Sequence, residues 1–488
     1  MNWNRPCMLL ARGSRTLGRS LILIALFCGS SFAQQSSVAP AEVREILARA
    51  KGFEVGFLAK NLNSGHIVAA HDADRALIPA SNQKILTTAA ALLAFGSSGA
   101  FRTELVAHGV VTDQVVHGSL RLWSNGDPTL EATRTPIDLA RAVRDAGITR
   151  VTGDLLLDDR SFGGGFTGPN WPKDEPTRAY MAEVNALSLD YGMMSVRVTG
   201  GASVSERPRV VLEPASSGWT LDSRLSTCEA SKDQLVHVVR RDKDRVIQVT
   251  GKVWKNTNDQ PHAFAIHDSA EVFGHVLKQS LQDAGVQLDG RVRRPESDQE
   301  FVGGRRLAFV ETPHTSAYPP ILKRSQNHCA EMLFKHLGVS DSGAGTFAAS
   351  GEQLTRLLQG AQVRTSGLVA ADGSGLSRDN RVAPITIVDI LTILAARDDF
   401  ADYREWLPHG GEASSTLSRR LQDVGQKVRA KTGTLSTVVA LSGYVETMDG
   451  SLVAFSVLTN ASDRGRTAKM RDLCDDLVRS LSRMKMKR

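Results

Sequence analysis

Cysteine is scarce in this chain of 488 residues: there are five, and no two of them form a C-x-x-C pair. That spacing gives no sign of a structural zinc site, and so few cysteines cannot make a dense disulfide framework. The chain also lacks any apolar run near the ~20 residues that a membrane helix needs. Low-complexity tracts and internal repeats are missing too, so neither a solenoid nor a disordered scaffold fits. Stability must therefore come from buried apolar surface. The chain is long enough for that, and it exceeds the roughly 250–300 residues that a single core usually supports. No metal-ligand pattern and no cofactor fingerprint is found.

The first thirty-three residues differ from the rest. Arg5, Arg12, Arg15 and Arg19 precede a short apolar run at residues 21–27, and Ser31-Phe32-Ala33 follows. A charged region, a short apolar core and a small-x-Ala site describe a secretory signal peptide cleaved after Ala33. Bulky Phe27 before Cys28 argues against lipidation. Removing this segment takes away four arginines and no acids, so the net charge of +7 becomes 7 − 4 = +3. The basic balance is thus partly a property of the export signal and does not point to nucleic acid. Three cysteines remain, Cys228, Cys329 and Cys474, enough for one disulfide at most. A periplasmic protein is expected.

Along the mature chain, a helix around Val43–Leu47 leads to two apolar runs, 53–61 and 67–70, across the turn Asn63-Ser64-Gly65; this reads as a hairpin. An alanine- and leucine-rich helix follows Ser81. From about Phe101 short strand-like runs dominate, at 106–111, 120–123, 153–157, 194–198, 210–212, 235–239 and 246–249. One helix, 136–146, interrupts them. This stretch reads as β-rich and separate from what precedes it. Helical periodicity returns at 270–284, 317–336, 347–359 and 385–397. Strands at 435–447 and 451–458 flank Asp449-Gly450, and a last helix carries Leu473, Leu477 and Leu481 on one stripe.

The chemistry-bearing residues fall into three short motifs. Ser81 and Lys84 stand three apart, so a helix would hold the hydroxyl and the amine on one face. A serine is a weak nucleophile until a neighbouring base takes its proton, which makes this pair suitable for acyl transfer. Ser325-Gln326-Asn327 precedes an apolar helical segment with Ala330, Met332 and Leu333. Lys431-Thr432-Gly433-Thr434 leads into the strand at Leu435. The order S-x-x-K, S-x-N, K-T-G resembles that of the serine-active penicillin-recognising enzymes, penicillin-binding proteins and serine β-lactamases. The gap of 244 residues (325 − 81) between the first two motifs resembles the class C low-molecular-mass penicillin-binding proteins. These are D-alanyl-D-alanine carboxypeptidases and endopeptidases with domains inserted at that point. The stretches Asp372–Arg378 with Asn380 and Ala383-Pro384, Gly126–Leu130, and Gly153-Asp154 are similar to the same family.

That resemblance implies a mixed α/β penicillin-binding-protein domain, similar to the serine β-lactamases, formed by residues 34–101 and 308–488 and split by β-rich inserted domains at 102–307. It implies Ser81 as nucleophile and Lys84 as base, with Lys431 as a neighbouring cation that depresses the Lys84 pKa. Ser325 would relay a proton to the leaving amine and Asn327 would orient Lys84 and the substrate amide. Lys431, Thr432 and Thr434, with Gly433 between them, would hold the terminal carboxylate of a D-Ala-D-Ala stem. The N–H groups of Ser81 and Thr434 would form the oxyanion hole. Peptidoglycan stem peptides are the expected substrate and β-lactams the expected covalent inhibitors, with no cofactor. Glu175 and Arg178 align with an inserted region that reaches toward the stem in relatives. Gly373-Ser374-Gly375 reads as a tight turn near the cleft rather than a nucleophile elbow. His328, Cys329 and His336 read as packing residues. The basic tail (Arg479, Arg483, Lys485, Lys487, Arg488) reads as belonging to a helix docked on its own domain, with peripheral contact to anionic lipid as the alternative.

Overall fold

The computed structural model describes residues 40–301 and 303–486, so the proposed signal peptide, Lys487 and Arg488 lie outside the described residues. Its centre is a five-stranded antiparallel sheet in the order Val428–Leu435, Val438–Glu446, Leu452–Asn460, Glu54–Asn61, Ile67–His71. The turn at Asp449-Gly450, with Gly450 at φ +79°, sets the register that pairs Glu446 with Leu452. Successive side chains on these strands alternate between two cores, as the pleat requires. Phe57, Val439, Leu441, Phe455 and Val457 face the helices Thr467–Arg483 and Ala41–Leu47. Leu58, Ala440, Tyr444 and Leu458 face the helices Gln83–Phe95, Asn327–Ser342 and Pro384–Ala395. Leu473, Leu477 and Leu481 are buried against the sheet, and Arg479 pairs with Asp423 at 2.8 Å, so the last helix is docked on its own domain.

The inserted region begins and ends side by side. Strand Ala100–Thr112 pairs with Arg305–Pro313, Ala100 standing opposite Pro313. These two belong to a seven-stranded sheet covered by the helices Thr135–Asp145 and Ser269–Asp283, with a core of its own. Two smaller three-stranded sheets follow, Arg209–Glu213 with Met193–Thr199 and Gln260–Ala265, and Leu235–Arg241 with Val246–Trp254 and Thr220–Cys228.

Three local expectations need correction. The helix expected over 317–336 is two helices, Tyr318–Lys323 and Asn327–Ser342. Between them Ser325 takes a left-handed φ of +60°, and Gln326 caps the second helix by accepting from the His328 N–H at 3.0 Å. The strand expected over 435–447 is Val438–Glu446, and a separate strand, Val428–Leu435, precedes it, so Lys431–Thr434 lie within a strand rather than before one. Nor is the inserted region wholly separate. Phe162, Trp171, Met181, Val184 and Ala186 are buried in the same core as Phe334 and Phe347. Cys228, Cys329 and Cys474 are all buried and free.

Candidate active site

Ser81 lies in a tight 3-10 turn, Ala80–Asn82, that feeds directly into the helix Gln83–Phe95. Residues Gln83 to Leu92 are all buried, so this helix runs through the middle of its domain rather than along the surface. The turn is held in a conformation that non-glycine residues seldom adopt: Ala80 has φ +46°. Two glycines let neighbouring backbone reach it. A Cβ on Gly375 (φ +85°) would lie 1.8 Å from the Ala80 carbonyl oxygen, and one on Gly433 would lie 2.9 Å from the Pro79 carbonyl and 3.1 Å from the Ser81 nitrogen. Asn82 donates to the Lys431 carbonyl at 2.9 Å, pinning the turn to the strand.

Around Ser81 the three motifs converge. The Lys84 ammonium donates to Ser81 Oγ at 3.1 Å, to Asn327 Oδ1 at 2.9 Å and to the Ser374 carbonyl at 2.7 Å. Lys431 donates to Ser325 Oγ at 2.9 Å and to the Thr432 carbonyl at 2.8 Å. Both lysines have no solvent exposure. Thr432 is buried and Thr434 exposed at the strand end. Ser81 touches two hollows. One, of about 620 Å³, runs past Asn327, Leu376, Thr434 and Arg378 to Asp174, Glu175 and Tyr180; the other, of about 700 Å³, runs past Ser325, Thr432 and Thr434. Glu175 thus stands on the wall of the cleft, where it accepts from Tyr180 and from Arg178, while Arg178 itself is not among the lining residues.

Burial shapes the electrostatics. It lowers the Lys84 pKa from 10.5 to about 8, working against the negative charges of Glu331 and Asp372 that favour the ammonium. Lys431 is held well below its ordinary value, first by burial and then by the charge of Lys84. The repulsion expected between the two lysines is thus seen at Lys431, whereas burial is the cause at Lys84. A lysine in this range has a neutral fraction near pH 7 large enough to act as a base.

The sequence reading missed two participants. Ser374, taken only for part of a turn, supplies the carbonyl nearest to Lys84 Nζ. Glu331, one turn beyond Asn327 on the same helix, accepts from the Gly373 and Ser374 N–H groups, each at 2.8 Å. A charge between Ala330 and Met332 on an apolar helix was the available signal. His328 and Cys329 are buried, and His336 stacks against Phe95, Phe101 and His314, so all three pack as expected.

A serine joined to a buried lysine at a helix start, facing a serine–lysine pair and a K-T-G strand, defines a penicillin-binding class of serine hydrolase. The match to the D-Ala-D-Ala carboxypeptidase 3 (S13) family covers residues 39–481, and the chain belongs to that family. It is 34% identical over 429 residues to a D-alanyl-D-alanine carboxypeptidase of Actinomadura sp. (strain R39), covering 84% of this chain and 78% of that one. Penicillin-binding protein 4 from Haemophilus influenzae has a similar structure, with a TM-score of 0.78 and 25% identity, over 91% of this chain and 99% of its own. The same protein complexed with a β-lactam gives a TM-score of 0.73 at 25% identity, covering 91% of this chain and 100% of its own. The fold is therefore that of a penicillin-binding protein carrying extra β-rich regions, and the protein is a serine-type peptidase.

Proposed function

We propose that the protein is an exported DD-peptidase that cleaves D-Ala-D-Ala termini or D-Ala cross-links of peptidoglycan through an acyl-enzyme on Ser81. The observation that carries this reading is the 3.1 Å contact between Lys84 Nζ and Ser81 Oγ in a site where burial lowers the lysine. Neutral Lys84 takes the Ser81 proton as Oγ bonds to the carbonyl carbon of the penultimate D-alanine. Negative charge then develops on the carbonyl oxygen, and on this reading the N–H groups of Ser81 and Thr434 stabilise it; one such donor is worth about 3–4 kcal/mol in other hydrolases. The C–N bond breaks and the leaving amine gains a proton through Ser325, whose hydroxyl is held by Lys431 at 2.9 Å. Lys431, Thr432 and Thr434 hold the carboxylate of the leaving residue. Water then attacks the ester carbon, and Ser81 regains its proton.

A β-lactam ring carbonyl would acylate Ser81 in the same way. The leader at 1–33 supports export to the periplasm, and among the described residues no helix is long and apolar enough to cross a membrane. The pairing of strands Ala100–Thr112 and Arg305–Pro313 supports dividing the chain into a split catalytic part, 34–101 and 308–488, and an insert, 102–307. Incubation with a monomeric pentapeptide muropeptide and with a cross-linked dimer tests the substrate. Free D-alanine from the first, or monomers from the second, is expected; neither product would contradict the proposal.

A further inference from the structure

Glu331 is a carboxylate with no solvent exposure, and a buried carboxylate is costly unless it is fully hydrogen-bonded. Its two oxygens are engaged by successive backbone amides: Oε2 accepts from Gly373 and Oε1 from Ser374, both at 2.8 Å. These amides begin the loop whose Ser374 carbonyl accepts from Lys84 Nζ at 2.7 Å. Thr87, on the helix of Lys84, donates to the Gly373 carbonyl at 2.7 Å, so two helices grip the same loop. Beyond Gly373 and Ser374, Asp372 fixes the remainder, accepting from the N–H groups of Gly375 at 2.8 Å and Ser377 at 2.6 Å.

Asn327 and Glu331 are four apart on one helix, hence on one face. The first bonds Lys84 directly; the second does so through the loop. The charged and titratable groups around this pair are Lys84 on its helix, Asp372 on the loop, and Cys329 and Lys335 on the helix of Glu331 itself. Lys431 faces Lys84 from the strand. Lys335 is also buried and donates to the carbonyls of Gly163 at 3.0 Å and Gly165 at 2.6 Å. Glu331 itself is not among the residues that line the two hollows beside Ser81, so it has no direct route to a substrate.

We propose that Glu331 is a positioning residue for the Lys84 base: its two hydrogen bonds hold the Ser374 carbonyl on Lys84 Nζ, and its charge governs how readily Lys84 gives up a proton. The proposal rests on the reading of Ser81 and Lys84 as nucleophile and base. The sign follows from Coulomb's law. A negative Glu331 favours the Lys84 ammonium, so neutralising it lets Lys84 become the free base at lower pH. Burial and then the charge of Asp372 push Glu331 itself upward, while the backbone N–H groups bonded to its two oxygens favour the charged form that the proposal uses.

The test is the pH profile of acylation by a fluorescent penicillin in the full-length enzyme, for wild type, Glu331→Gln and Glu331→Asp, with thermal melts as a check on folding. Gln removes the charge and one backbone acceptor; its acid limb should move toward lower pH by about one unit. Asp keeps the charge on a shorter stem; its acid limb should stay in place while acylation slows roughly tenfold, a barrier increase of about 1.4 kcal/mol. An acid limb that does not move in Glu331→Gln overturns the electrostatic part. Acylation at the wild-type rate in Glu331→Asp overturns the positioning part, and this variant decides the matter if Glu331→Gln does not fold. A wild-type enzyme that forms no adduct at all would instead overturn the serine-acylation reading on which the proposal stands.

Discussion

In the proposed mechanism Lys84 acts as a base while buried among acceptors that favour its ammonium form. Burial wins, bringing it to about 8, and this gives a direct expectation for pH dependence. Because only the neutral amine accepts the Ser81 proton, the rate of acylation should rise as pH increases through about 8 and level off above it. Lys84→Arg keeps the positive charge and length but stays protonated at all accessible pH values. It should lower acylation by about 10²–10⁴-fold, the usual share of a general base. Stopped-flow labelling at several pH values measures both effects. The three motifs that bring Ser81, Lys84, Ser325, Asn327 and Lys431 together were legible in the sequence because each is a short pattern of distinctive side chains. Ser374 was not, since it contributes a backbone carbonyl that any residue carries. Glu331 was not, since a single glutamate in a helix ordinarily reads as a solvated charge; only its apolar neighbours hint at burial.

At the scale of elements, the site depends on a strand lying hard against a turn. At Gly433 the strand Val428–Leu435 lies against the Ser81 turn, and a methyl there would sit 2.9 Å from the Pro79 carbonyl and 3.1 Å from the Ser81 nitrogen. Gly433→Ala should therefore push the strand and the Ser81 turn apart, lowering acylation at least tenfold while the thermal midpoint changes little; labelling kinetics with a melt separates the two. The hairpin that follows was readable, because Asp449-Gly450 lies between two apolar runs. The strand before it was hidden by Arg429 and Lys431, whose charges break the apolar pattern even though both side chains are buried. Arg429 is matched by Glu405 at 2.7 Å and Lys431 by Ser325, partners that arrive from distant parts of the chain. Ser325 also ends a helical pattern that continues on both sides of it, so periodicity alone joined two helices into one.

For the whole molecule, the inserted region is tied into the catalytic core and cannot be treated as a passenger. Trp171 is buried against Phe347, with ring centroids 6.1 Å apart, and its indole N–H donates to Asp372 at 2.9 Å. Asp372 in turn holds the loop that carries Ser374. Trp171→Ala should cost about 3–5 kcal/mol of stability, as large aromatic truncations do, and should slow acylation as well because Asp372 loses a partner. Thermal melts and labelling kinetics together check this; a variant that loses stability but acylates normally would show that the insert supports the fold without reaching the site. The sequence showed where strands cluster, because alternation is local. It did not show that Phe162, Trp171, Met181, Val184 and Ala186 are buried among helices more than a hundred residues away.

Acylation of Ser81 is the step on which the proposed mechanism depends. Intact-mass measurement after incubation with benzylpenicillin, followed by peptide mapping, tests it directly. One adduct per chain is expected, located on the peptide containing Ser81, and none in Ser81→Ala. An unmodified wild-type protein, or an adduct that persists in Ser81→Ala, would contradict it.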